Sequence, residues 1–268
     1  MDILSSANSK LKQFRLLQRR KHREKLSLVP LEGVTLVEDA LRAGVKLGWA
    51  VYEEEILTER GRSLLKALEE SGVPIFEAAP GLLQASSDVE TSQGIICAAD
   101  MPKHTPRAVL GQDPARVLIL DSLQDPGNLG TLFRTALAAG VTGVICTRET
   151  VDPLNPKVLR ASMGAVFKMP FLKDKEPGDI SSMLKQRGLP LYGCHPRKGK
   201  SCFDIEFPPS HALVIGSESR GISPLLLEEC HKLVTIPLVG PVESLNAATA
   251  GAVIIYEALR QNRNLELT

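Results

Sequence analysis

At 268 residues, 43% of them hydrophobic and 24% charged, the chain is long enough for one large domain or two modest ones, each with its own core. No apolar run approaches the ~20 residues of a membrane span, and the polar opening MDILSSANSKLKQF lacks the apolar stretch of a secretory signal. A cytosolic or equivalent reducing compartment is expected. The formal net charge of +1 says nothing for nucleic acid by itself, but its distribution does.

Lys10, Lys12, Arg15, Arg19, Arg20, Lys21, Arg23 and Lys25 stand close together against the single acid Glu24, which is the electrostatic footprint of a phosphate-binding surface. Leu11, Phe14 and Leu17 recur at helical spacing in the same stretch, so the block reads as an amphipathic basic helix. Next come a strand-like run at Leu26–Leu31, a helix at Val34–Ala43 closed by Gly44, and a strand at Lys46–Tyr52. A helix opens at Thr58 and stops at Gly72. A short strand at Val73–Phe76, a weak helix at Ala79–Ala85 and a strand at Gly94–Ala98 complete a small α/β layer structure over residues 1–100.

Residues 101–115 carry Pro102, Pro106, Gly111 and Pro114 with little periodicity, and read as a linker. The remainder, 116–268, alternates again. Strands are expected at Arg116–Leu120, Val144–Thr147, Pro190–Cys194, Ala212–Ile215 and Leu233–Ile236. Helices are expected at Asn128–Ala139, Pro156–Met163, Asp179–Arg187, Pro224–Cys230 and Ser244–Gln261. Helices between short apolar strands require crossovers, so the sheet should be mostly parallel.

Three segments of this half hold more Gly, Asn, Ser and charge than simple turns need. In the first, VLILDSLQDPGNLGTLFRTALAAG, a buried strand ends at Asp121 and gives way to a helix with Leu129, Leu132, Phe133 and Ala136 on one face and Asn128 as its expected N-cap. The second is LVIGSESRGIS (Leu213–Ser223), and the third IPLVGPVESLNAATA (Ile236–Ala250). Each lies past the carboxyl end of an expected parallel strand, where α/β proteins hold ligands. If the three meet, the site offers the amides Asn128 and Asn246, the carboxylate Glu218 and the arginine Arg134.

Several chemistries are set aside. There is no G-x-G-x-x-G after the first strand and no Gly-Lys-Ser/Thr phosphate loop, and Ser217 stands where a G-x-S-x-G elbow needs its first glycine. Cys97, Cys146, Cys194, Cys202 and Cys230 form no C-x-x-C pair, and the five histidines show no ligand spacing, so no metal is expected. Cys97, Cys146 and Cys194 read as buried thiols. Asp121 and Asp125 read as turn and cap residues before Mg²⁺ ligands.

In order and spacing, NLGTLFR (Asn128–Arg134), the G-x-E-x-x-G of Gly216–Gly221, and IPLVGPVESLN (Ile236–Asn246) resemble the three signature motifs of the SpoU (TrmH-like) family of RNA 2′-O-ribose methyltransferases, in the SPOUT superfamily. The resemblance implies a mostly parallel α/β domain whose carboxyl-terminal part is threaded into a trefoil knot, a homodimer, and S-adenosyl-L-methionine as cofactor. It assigns Gly216, Ile236 and Leu245 to the cofactor, and Asn128, Arg134, Glu218, Ser244 and Asn246 to the catalytic surface. It also implies that residues 1–100 form a small RNA-binding α/β domain. Departures are Ser217 and Ser219 in the second motif, Ala247 after the third, and Pro30 in a strand of the first domain.

The implied activity is ribose methylation of RNA, ribosomal RNA ahead of transfer RNA, in a bacterial-type cytosol or an organelle descended from one. The rival readings are a tRNA 2′-O-methyltransferase, a non-catalytic RNA-binding protein that keeps the fold, and a small-molecule α/β enzyme. A guanidinium has no lone pair to serve as a base. Arg134 is therefore expected to orient the target ribose and its 3′ phosphate, with the proton passing to phosphate or water.

Overall fold

A computed structural model describes residues 8–86 and 91–262. The chain forms two compact units, Met1–Lys103 with Leu154–Phe167, and His104–Pro153 with Lys168–Thr268.

The first unit is built on strands Leu28–Glu32 (β1), Leu47–Tyr52 (β2), Ile75–Glu77 (β3) and Ile95–Asp100 (β4), in the order β1-β4-β2-β3. β4 runs antiparallel to β1 and β2. β2 and β3 are parallel, because the helix Glu59–Glu70 crosses between them. Thr58 Oγ1 caps that helix by accepting from Gly61 N at 3.2 Å, and its Leu64 and Leu68 are buried. The expected helix at Ala79–Ala85 is instead a turn ending in a 3₁₀ turn at Gln84–Ser86, held by the buried Glu53 carboxylate, which accepts from the backbone of Gly81 and Leu83.

The basic block folds as two helices, Ser9–Leu17 and Arg20–Leu26, where one was expected. Leu11, Phe14 and Leu17 pack on Trp49, Val51, Ile96 and Ala98 of the sheet, as their spacing required. Arg23 is 1% exposed, and its Nη1 donates to the carbonyls of Leu17 and Gln18 at 3.0 and 2.9 Å. It satisfies acceptors that the break between the helices leaves unpaired. Ser27, at φ 52°, ends the second helix and delays the first strand to Leu28. In the segment Leu154–Phe167, Arg160 Nη1 lies 3.8 Å from Glu32 Oε2. Gly164, at φ +75°, sits so close to Asp39 that a Cβ would come within 2.5 Å of the aspartate Cβ. The left-handed backbone at Met163 and Gly164 ends the expected helix early, at Ala161.

The second unit holds seven parallel strands: Arg116–Asp121 (β5), Gly143–Thr147 (β6), Phe171–Lys175 (β7), Leu191–Cys194 (β8), Lys200–Ser201 (β9), His211–Gly216 (β10) and Lys232–Thr235 (β11). Their order is β7-β6-β5-β10-β8-β11-β9. The two strands that sequence patterning did not anticipate, β7 and β9, are the two edges. One carries only two apolar residues and the other spans two residues, so neither makes an apolar run.

Val117, Ile119, Ile145, Ala212 and Val214 share one core face with Val109 and Leu110, Ile180 and Leu184, and Leu226. Those partners come from helices Pro106–Leu110, Pro177–Arg187 and Pro224–Glu228, so the stretch expected as a linker contributes a core helix. The last helix, Ala247–Gln261, packs on β10 and on the helix Pro126–Ala138. At Gly251 a Cβ would come to 2.5 Å of both Ile215 Cδ1 and Leu132 Cδ2, so the helix lies close against both side chains there.

Candidate active site

Asp121 ends β5 and is 1% exposed. Its Oδ2 accepts from Ser223 N at 2.7 Å, which ties the first candidate loop to the second. The helix that follows begins at Pro126, and its N-cap is Asp125, whose Oδ1 accepts from Asn128 N at 2.7 Å. This corrects the expectation that Asn128 is the cap. With the cap supplied by Asp125 and the apolar face buried through Leu129, Leu132, Phe133 and Ala136, the Asn128 side chain is left for other partners.

The second loop is a tight turn. Ser217 and Gly221 exchange backbone hydrogen bonds at 3.1 and 2.8 Å, and Ser217 Oγ accepts from Arg220 N. The turn folds back onto Gly216, where a Cβ would lie 2.2 Å from the Gly221 carbonyl carbon. No side chain fits at that position, and backbone forms that part of the wall.

The third loop leaves β11, runs through Ile236 and Gly240, and ends at Asn246. The helix expected from Ser244 starts at Ala247, because Asn246 Oδ1 caps it by accepting from Ala248 N at 2.9 Å and Thr249 N at 3.2 Å.

The three loops meet through side chains. Asn246 Nδ2 donates to Asn128 Oδ1 at 2.9 Å, and Asn128 Nδ2 donates to Glu218 Oε1 at 2.5 Å. The sense of this chain is fixed from one end. Asn246 must point its oxygen at the helix N–H groups, so its amide nitrogen faces Asn128 and Asn128 presents its own nitrogen to Glu218. Glu218 is therefore held as an acceptor.

Beside this chain is a cavity of about 520 Å³, whose wall includes Gly216, Glu218, Ile236, Ser244, Leu245 and Asn246. Its size suits a small-molecule cofactor. Six of the eight site residues expected from sequence thus line one cavity, and Asn128 is hydrogen-bonded to two of them. Arg134 stands apart, exposed on the helix Pro126–Ala138 and outside the cavity wall.

Sequence reasoning missed the contribution of the segment after β8, where Cys194, His195 and Pro196 also line the cavity. The rule that selected the other loops, a position past the carboxyl end of a parallel strand, would have selected this one. Burial pushes the Cys194 thiol up to about 12, with Cys230 and Cys202 adding to the rise, so it is no nucleophile at neutral pH. Burial likewise lowers His195, with Lys198 reinforcing the shift. Its Nδ1 accepts from the backbone of Arg197 and Lys198, which leaves any ring proton on Nε2. Of the thiols expected to be buried, Cys97 and Cys146 are, whereas Cys194 is half-buried at the cavity wall. Among the described residues no group of three or more His, Cys, Asp or Glu could hold a metal ion. Asp121 and Asp125 are engaged as loop tie and cap.

Sheet and site together define an α/β fold with a cavity at the carboxyl edge of its parallel strands, where such folds hold ligands. Residues 115–256 match the model of the SpoU rRNA Methylase family, and residues 8–97 that of the MRM3-like substrate binding domain. The chain is 32% identical over 254 residues to the 23S rRNA (guanosine(2553)-2′-O)-methyltransferase RlmP of Bacillus subtilis, covering 95% of this chain and 97% of that one. It superposes on the AdoMet-bound rRNA methyltransferase of Sinorhizobium meliloti with a TM-score of 0.86 at 28% identity, covering 97% of each chain. For the SpoU methyltransferase AviRb of Streptomyces viridochromogenes in complex with AdoMet, the TM-score is 0.85 at 28% identity, covering 95% of this chain and 98% of that one. The chain belongs to the SpoU rRNA methylase family.

The residues present fit S-adenosylmethionine, the methyl donor. Ile236, Leu238 and Leu245 supply an apolar wall, and Gly216 a stretch of bare backbone.

Proposed function

We propose that the protein transfers a methyl group from S-adenosylmethionine to a ribose 2′-hydroxyl of RNA, ribosomal RNA ahead of transfer RNA. The observation that carries this reading is the Glu218–Asn128–Asn246 chain, which gathers all three loops beside one cofactor-sized cavity. The 23S rRNA named for the Bacillus subtilis relative supports the choice of ribosomal RNA.

When bound, the cofactor would supply the sulfonium methyl group that is transferred to the 2′-oxygen, leaving as the neutral thioether. Gly216, Ile236 and Leu245 hold the cofactor by backbone and apolar contact. Glu218, Asn128, Ser244 and Asn246 form the polar rim that receives the ribose. Arg134, exposed on the helix that carries Asn128, binds the ribose and its 3′ phosphate bidentately, lowering the barrier by orientation and by a charge in place before reaction. The hydroxyl proton passes to phosphate or water.

The exposed face of Lys10–Lys25 grips RNA phosphates. Residues 1–100 form the RNA-binding domain, and 116–268 form the catalytic domain with its trefoil knot. The catalytic domains pair as a homodimer, for which the full exposure of Val239 and the 57% exposure of Val242 speak. No helix among the described residues is long and apolar enough to cross a membrane, and the proposed compartment is the cytosol.

The test is transfer of labelled methyl from S-adenosylmethionine to unmodified ribosomal RNA and, separately, transfer RNA, by wild type and by Arg134→Ala and Arg134→Lys. Label on ribosomal RNA in an alkali-resistant dinucleotide, lost in both variants, is the expected result. Near-full activity of Arg134→Lys would refute bidentate positioning. Label on transfer RNA alone would favour the tRNA enzyme, and absent cofactor binding by calorimetry a non-catalytic RNA-binding protein.

A further inference from the structure

The segment after β8 carries charge that the catalytic site does not use. It reads His195-Pro-Arg-Lys-Gly-Lys200, and Arg197, Lys198 and Lys200 are all exposed. Three features make it a built loop. His195 Nδ1 accepts from Arg197 N at 3.1 Å and Lys198 N at 3.0 Å, so the side chain that begins the loop also closes its first turn. Thr235 Oγ1 donates to the Pro196 carbonyl at 3.2 Å, and β9 pairs with β11, so both ends are pinned to the same neighbouring strand. At Gly199, φ +110°, a Cβ would lie 2.2 Å from the Leu233 carbonyl oxygen, and no other residue allows that approach.

The loop also has a defined place. His195 and Pro196 line the cofactor cavity, so the cations that follow stand beside it. The carboxylate that meets them is Glu243, 3.3 Å from Arg197 Nη2, next to Ser244 in the third loop. Both members of this pair are well exposed, at 69% and 89% of the side chain. Such a pair contributes little and is readily exchanged for a stronger acceptor.

We propose that Arg197, Lys198 and Lys200 form a phosphate clamp that holds the RNA backbone beside the cofactor cavity, with Glu243 occupying Arg197 until RNA arrives. This inference rests on the proposed action on RNA. The clamp would fix the strand near the reacting ribose, whereas the basic block at Lys10–Lys25 lies in the other unit.

The experiment measures affinity of the full chain for unmodified ribosomal RNA against salt concentration, for wild type, Arg197→Ala/Lys198→Ala/Lys200→Ala, and Glu243→Gln. Removing one cation from a phosphate lowers the slope of log affinity against log salt by about 0.7 for single-stranded RNA, so the triple variant should have a slope smaller by about 2. It should also bind at least tenfold more weakly at moderate salt, while cofactor affinity and melting temperature stay at wild-type values. Glu243→Gln should bind RNA about two- to threefold more tightly. An unchanged slope and affinity in the triple variant, with wild type still methylating the RNA, would overturn the clamp and leave the proposed function standing. If wild type neither binds nor methylates RNA, clamp and function fall together. An Arg197→Lys variant that keeps most of the affinity would support recognition by charge.

Discussion

Asn246 does two jobs that can be separated. Its oxygen caps the last helix through Ala248 N and Thr249 N, and its amide nitrogen starts the chain to Asn128 and Glu218. Asn246→Ala removes both. Loss of an N-cap costs about 1 kcal/mol, which lowers the melting temperature of a unit this size by about 2–4 °C. Asn246→Asp keeps an equally good cap, with a negative charge that the helix N-terminus favours, but replaces the donor with an acceptor. Asn128 then has a carboxylate on each side. Whichever way its amide turns, one side sets acceptor against acceptor. The missing hydrogen bond involves a charged group, worth about 1.5–3 kcal/mol, or roughly 10- to 150-fold if it is fully used in the transition state.

Asn246→Asp should therefore melt near wild type yet slow methyl transfer by at least about tenfold, while Asn246→Ala loses activity and stability together. Scanning calorimetry and labelled-methyl transfer read the two effects. Lowering the pH should partly restore Asn246→Asp, because a protonated carboxyl at that position is again a donor to Asn128. Full activity in Asn246→Asp, or equal destabilisation by both substitutions, would contradict these separate roles of Asn246.

Gly216→Ala should abolish cofactor binding by calorimetry and lower the melting temperature, since its methyl would sit 2.2 Å from the Gly221 carbonyl carbon in a turn locked by two hydrogen bonds. Arg23→Ala should destabilise the protein by about 1–3 kcal/mol in chemical denaturation, because the Leu17 and Gln18 carbonyls lose their donor. Lys21→Ala, on the exposed face nearby, should leave stability unchanged and weaken RNA binding in a salt-dependent way. Burial lowers His211 below its ordinary value of 6.5, with Arg116 adding to the shift and the Pro208 carbonyl opposing it. The folded state thus binds its proton less readily than the unfolded chain. The stability this provides is present above about pH 6.5 and is lost as pH falls through the lower folded value. Melting temperature should drop below pH 6.5, and His211→Asn should flatten that drop.

Where apolar residues repeat along one element, the sequence already spelled out the structure. Leu129, Leu132, Phe133 and Ala136 are buried on one helix face, and Leu11, Phe14 and Leu17 on another. Helix boundaries were less legible because caps are local competitions. Asp125 and Asn128 are both good caps, and only the placement of Pro126 at the first turn decides between them. The basic block could not reveal that Arg23 turns inward, since that depends on where the helix breaks. The edge strands β7 and β9 have too few apolar residues to register as strands and exist through pairing with β6 and β11.

At the site, the three loops were legible by their position past strand ends, but their convergence was not. It depends on Asn128 and Asn246, 118 residues apart in the chain, meeting at 2.9 Å. Asp121, the buried tie between the first two loops, looked like any turn aspartate.

Methylation of ribosomal RNA by this site is put to its sharpest test by mapping alkali-resistant ribose positions in ribosomal RNA from cells with and without an intact copy of this chain. A 2′-O-methylated nucleotide should disappear without it, return with the wild-type chain, and fail to return with Asn246→Asp. An identical map in both cells, with S-adenosylmethionine binding intact in vitro, would contradict ribosomal RNA as the substrate. Restoration by Asn246→Asp at wild-type efficiency would contradict the site.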